Sequence, residues 1–203
     1  MLLLCATAAV AQDKGSDSKL FDAALQSVTW HVHGLGGNTL PDRDDMSRYA
    51  IAGTTVTAGE KRVSKAAAKF YDAATADEIV ASYREVNRAS MRIDAVSVDG
   101  ARVLSLDEFA TGPTTYDWER LNKKYPDIKA IFRISQPAVA GYYALVYVEI
   151  IAPTGVEWAN CLELQRKADG SSWEQTRAIV GAPSPEATAA AAGRARQPLA
   201  PLD

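Results

Sequence analysis

The spacing of apolar residues changes along the chain, and each spacing predicts a different element. Leu20, Phe21, Ala24, Leu25, Val28 and Val32 recur at helical intervals, and Gly34 stands where a helix ends on glycine. The same stretch admits a second reading, in which Val28, Trp30 and Val32 form one face of a short strand. "RYAIAGTTVT" is rich in strand formers. A helix over about 58–72 follows, with Val63, Ala66, Ala67 and Phe70 on one face. Thr75-Ala-Asp-Glu78 has the form of a capping box, so a second helix is expected to begin at Thr75 and to bury Ile79, Val80, Tyr83 and Val86.

Further on the period shortens. "RIDAVSV" and "RVLSL" flank Asp99-Gly100, a hairpin signal. "TTYDWERLNKKYP" reads as a short helix capped by Thr114 or Thr115, with Pro126 just past its end. "IKAIFRIS", "YYALVYVEII", "VEWANCLELQRK" and "SWEQTRAIV" are four expected strands, with "PAVAG", "APTG" and "ADGSS" as turns. Turns this short force antiparallel neighbours, hence a meander. "YYALVYVEII" is apolar almost throughout, as a strand covered on both faces must be. The expected fold is α+β: N-terminal helices packed on an antiparallel sheet that ends in a four-stranded meander.

The two ends of the chain differ from this middle. "MLLLCATAAVAQ" is apolar, and Ala9-Val10-Ala11 fits a signal-peptidase site, so residues 1–11 are expected to be a signal peptide. Residues 12–19 form a polar leader, residues 20–181 a single domain, and residues 182–203 an Ala/Pro-rich disordered tail. The expected location is therefore secreted or periplasmic. Cleavage would remove Cys5 and leave Cys161 without a disulfide partner, as a small buried hydrophobe.

The formal net charge of −3, with Lys and Arg scattered, gives no footprint for nucleic acid. Neither a basic amphipathic helix nor an apolar run long enough to span a bilayer is present, so stable membrane insertion is not expected.

The order of landmarks from about Ile51 to residue 181 resembles a family of secreted bacterial proteins with no assigned activity. In that family a Trp- or Phe-bearing helix ending in Tyr-Pro precedes a "Ser…Ala-Leu-Val-Tyr-Val" strand pair. Trp118, Tyr125, Pro126, Ser135, Ala144, Leu145, Val146, Tyr147, Val148 and Trp173 fit. "APTGVEWANC" departs from the Cys and Gly pairs that often follow the family's central strand. The resemblance implies the fold and export. A local likeness of "WHVHGLGGNT" to the copper-binding stretch of copper–zinc superoxide dismutase fails on count, because that enzyme needs four further histidines and this chain has two in all.

Those two, His31 and His33, are the metal candidates, completed by Asp42 or Asp44 from the loop "GLGGNTLPDRDD". Two histidines and a carboxylate can bind a transition metal. On a strand, residues two apart share a face. On a helix they lie about 200° apart and cannot converge. "DRDDMSR" lacks the spacing of a calcium loop, "GLGG" lacks that of a phosphate loop, and no Gly-x-Ser-x-Gly elbow occurs. No cofactor is implied. The sheet offers the alternative site: a pocket at one end of the meander, lined by Tyr142, Tyr143, Tyr147, Trp158 and Trp173 and anchored by Arg133 and Glu149. Arg133, Tyr147, Glu149 and Trp158 are the ligand-binding candidates. The sequence therefore points first to a non-enzymatic exported domain binding a small molecule or an envelope protein. The alternatives are a metal-dependent enzyme using His31 and His33 with a loop aspartate, and a structural envelope protein.

Overall fold

A computed structural model of the chain describes residues 19–25, 46–94, 96, 100–168, 170 and 172–178. Helix α1 is described over residues 19–25, and it buries Leu20, Phe21, Ala24 and Leu25, four of the six positions its spacing selects; Val28 and Val32 lie outside the described residues. Lys19 is the first described residue of this helix. Helix α2 (Glu60–Phe70) buries Val63, Ala66 and Ala67. Helix α3 (Ala73–Val86) buries Ala76, Ile79 and Tyr83.

Two helix starts differ from expectation in the same way. Helix α3 begins before Thr75; Asp72 is its N-cap, and the carboxylate accepts from the Thr75 amide at 2.9 Å. Helix α4 (Trp118–Lys124) is capped by Asp117, which accepts from the Arg120 amide at 3.0 Å, and not by Thr114 or Thr115. Thr115–Tyr116 is instead strand β4, paired with β3 (Ala110–Gly112) in a small hairpin. Aspartate suits both caps because its short acceptor reaches the third amide and its charge meets the positive end of the helix dipole. The Asp72 carboxyl is held below its ordinary range, chiefly by the Thr75 amide.

Among the described residues the main sheet has seven strands. They are β1 (Tyr49–Ala52), β2 (Arg102–Leu104), β5 (Ala130–Ile134), β6 (Ala138–Ala140), β7 (Tyr143–Ala152), β8 (Gly155–Arg166) and β9 (Trp173–Ala178). The order is β2-β1-β5-β7-β8-β9, with β6 also paired to β7. The fold is α+β and most strand pairs are antiparallel, but β1 lies parallel to both β2 and β5, so the sheet is mixed. Arg102–Leu104 pairs parallel with β1, and residues 95 and 97–99, on which the expected hairpin at Asp99-Gly100 rests, lie outside the described residues. Parallel neighbours need a long crossover, and α2 and α3 supply it between β1 and β2. "PAVAG" is likewise more than a turn, since Ala138–Ala140 pairs with Tyr143–Leu145.

The sheet is covered on both faces, and every residue of β7 after Tyr143 is buried. One face carries a single apolar cluster, with Tyr49, Phe132, Val148, Ile150, Trp158 and Leu162 packed together with α1. The other carries two. Helices α2 and α3 close over Leu145, Tyr147 and Cys161. Helix α4 and the 3-10 turn Asp107–Phe109 close over Ala50, Ala52, Ile131 and Ile151.

Among the described residues no helix is long and apolar enough to cross a membrane. Residues 1–18, His31, His33, Asp42, Asp44 and the tail 182–203 lie outside the described residues. The expectations of a signal peptide, a metal site and a disordered tail fall there.

Candidate functional site

Strands β1 and β2 run in the same direction, so their carboxyl ends lie at one edge of the sheet. The chain leaving β1 runs through residues 53–59 into α2, which packs against β7 and β8. The chain leaving β2 turns into Asp107–Phe109, against α4. Connections that diverge beyond the ends of parallel strands open a crevice. Here it is a cleft of about 490 Å³, lined by Gly53–Val56, Arg92–Asp94, Ser105–Asp107, the β3–β4 hairpin with Tyr116, and Arg133.

Main-chain bonds fix its walls. The Gly53 amide donates to Leu104 O at 2.8 Å, and Gly53 O accepts from the Ile93 amide at 2.9 Å. The Thr55 amide donates to Met91 O at 2.8 Å, and the Thr55 hydroxyl accepts from the Met91 amide at 2.7 Å. A Cβ at position 53 would stand 3.1 Å from Leu104 O, so glycine lets these two strand exits meet.

Arg133 forms part of the lining. It pairs across the sheet with Glu149, and Nη1 lies 3.2 Å from Glu149 Oε2. Oε2 is buried and makes no hydrogen bond, so this is a charge contact and not an aligned bond. The aligned bond from Nη1 goes to Pro113 O at 2.5 Å, on the hairpin. Glu149 Oε1 accepts from the Tyr147 hydroxyl at 2.7 Å. Arg133 is 16 % exposed and Glu149 only 7 % in their side chains, so the carboxylate is buried and the guanidinium keeps partial access to the cleft. The Tyr147 ring is pinned from above by Gly59, where φ is +103° and a Cβ would come within 2.5 Å of the ring.

This arrangement sorts the sequence-predicted residues. Arg133, Tyr147 and Glu149 share one face and touch in series. Trp158 pairs with Ile150 and belongs to the apolar cluster on the opposite face, so it cannot join them. Of the four, Arg133 alone lines the cleft. The other expected aromatic walls are also elsewhere. Tyr142 is 64 % exposed, Tyr143 packs on Tyr71 with ring centroids 5.1 Å apart, and Trp173 packs on the far cluster. The pocket is thus built at the β1–β2 end, with Tyr116 and Asp107 as side chains that sequence reasoning missed. The Gly112-Pro113 turn signal was the clue to the hairpin that carries Tyr116 into place.

Burial pushes the Tyr116 phenol above its ordinary value, with Arg133 pulling the other way and Glu149 and Asp107 adding to the rise. Burial also raises Tyr147, reinforced by the Glu149 charge, and it raises Tyr83, whose hydroxyl donates to Ala58 O. The Cys161 thiol is pushed up to about 12 by burial, which makes it a core residue and not a nucleophile. Among the described residues no three His, Cys, Asp or Glu side chains gather as a metal site.

No family model, no curated protein and no solved structure matches this chain.

Proposed function

We propose that this protein is an exported, non-enzymatic domain that binds a small polar molecule in the cleft over Arg133. The observation that carries the reading is the cleft itself: about 490 Å³, with a guanidinium in its lining held from behind by a buried carboxylate. That volume lies within the ~300–1,000 Å³ of small-molecule sites, and a few fixed polar groups in a preformed concavity are what such sites use for orientation. A protein partner is the weaker reading, because Tyr142 is the one exposed large hydrophobic residue among those described. Tyr116, which lines the cleft, and Tyr147, which donates to Glu149, are both shifted upward, away from the neutral range in which a general acid or base works, so binding fits them better than proton transfer. The reading takes the domain as N-terminal helices over a sheet ending in a four-stranded meander, akin to the secreted family it resembles.

Titration of the 15N-labelled chain with a set of polar fragments tests the binding role. Shifts should map to the amides of Gly53, Thr55 and Ser105 and disappear in Thr54→Trp, which fills the cleft from an exposed rim position. Fragment shifts scattered away from these amides would overturn it. Export is tested separately by the mass of protein secreted from an expressing cell, which should correspond to a chain beginning at Gln12.

A further inference from the structure

The charges around the cleft narrow the ligand, given that the cleft is a binding site at all. Arg92 and Asp94 neutralise each other at 2.7 Å. Arg133 is neutralised by Glu149 from behind, yet among the described residues it donates a hydrogen bond from Nη1 alone, to Pro113 O. Its Nε–Nη2 edge is unengaged, and Arg133 is part of the lining. That planar two-donor edge matches a carboxylate. Asp107 lines the same cleft as Arg133 and Tyr116 and has no ion pair among the described residues. Asp107 therefore leaves the cleft one negative charge in excess. A ligand that is only an anion would add to that charge, and one that is only a cation would leave the guanidinium edge unmatched.

We propose that the cleft takes a small zwitterion, an amino acid or a short peptide, with its carboxylate on the Nε–Nη2 edge of Arg133 and its ammonium at Asp107. Glu149 and Tyr147 then serve as positioning groups: they fix the guanidinium before the ligand arrives and reduce the ordering needed on binding. The Pro113 carbonyl occupies Nη1 and leaves the Nε–Nη2 edge without a hydrogen-bond partner among the described residues.

The test is an NMR titration of the full chain with glycine and glycylglycine. Parallel arms use N-acetylglycine, which keeps the carboxylate and loses the ammonium, and glycinamide, which does the reverse. At least one zwitterion should move the amides of Gly53, Ser105 and Asp107 and bind about tenfold tighter than either single-charge analogue. The preferred member of the pair distinguishes a free amino acid from a peptide. Asp107→Asn, at an exposed position, should erase the preference for the ammonium and tighten N-acetylglycine binding, because the excess negative charge is gone. Arg133→Lys keeps the buried charge but loses the planar edge, and should weaken every carboxylate-bearing probe. Equal affinity for zwitterions and single-charge analogues would overturn the inference, as would unmoved cleft amides in both zwitterion titrations. If glucose or glycerol shifts the cleft amides while zwitterions do not, this inference fails and the binding role stands. If neither class moves them, both fail.

Discussion

Phe132 and Arg133 are neighbours on β5, and they show what separates the two faces of the sheet. Phe132 stacks on Tyr49 with ring centroids 4.8 Å apart, inside one unbroken apolar cluster. Arg133 meets Glu149 on the face where the core is split in two. Phe132 is fully buried and Arg133 only partly, and each is held by different means. Phe132 needs close packing, whereas Arg133 needs a compensating charge and a carbonyl. The continuous face supplies stability, and the interrupted face leaves room for a cleft and a fixed polar group in its lining.

The sharpest way to break this contrast is Phe132→Ala. Loss of the ring should cost about 4 kcal/mol in denaturant unfolding and leave the probe affinities of the cleft unchanged. If it perturbs the cleft amides as strongly as changes at Arg133, the faces are not independent. Arg133→Met comes next. It leaves Glu149 buried without its partner and should cost about 3 kcal/mol. Adding Glu149→Leu should recover all but about 1 kcal/mol, the part owed to the unpartnered Tyr147 hydroxyl. A double variant no more stable than the single would show that the ion pair is not the cause.

Alkaline stability probes the interrupted face through Cys161. The Cys161 thiol is neutral in the fold up to about 12 but ionises from 9.0 once unfolded. Its contribution is complete below pH 9.0 and is lost as the pH rises toward 12, because the unfolded chain releases the proton first. The slope from this one group is about 1.4 kcal/mol per pH unit. Chemical denaturation between pH 8 and about 11 should therefore fall less steeply in Cys161→Ala than in the parent; parallel slopes would remove the thiol from the account. The smallest effect is expected at Asp117→Ala, about 1 kcal/mol from loss of the α4 cap, with restoration by Asp117→Ser. A cost equal to that of Thr115→Ala would return the cap to the threonine.

Legibility followed the range of the interaction. The helical spacing of Leu20, Phe21, Ala24 and Leu25 selects residues that are all buried, and the apolar run of β7 marks a strand covered on both sides. Caps were harder to read, since Asp72 and Thr75, or Asp117 and Thr115, are competing signals a few residues apart, and only the chain direction into the helix chooses between them. Trp158 was placed with Tyr147 and Glu149 because all three are large or charged residues on neighbouring strands. The register of β7 with β8, Ile150 opposite Trp158 and Glu149 opposite Ala159, sends Trp158 to the other face. A shift of one residue reverses every such assignment, and no local pattern fixes it.

The sequence by itself determined the local elements and the centre of the sheet, because periodicity and side-chain volume act over a few residues. It also marked Arg133 and Glu149 as unusual polar residues in apolar strands. Only the tertiary structure decided that β1 lies parallel to both β2 and β5, that these two residues stand opposite each other, and that Tyr116 and Asp107 arrive beside them. Those outcomes depend on crossovers of tens of residues, where the energy lies in contacts between segments and not in either segment alone.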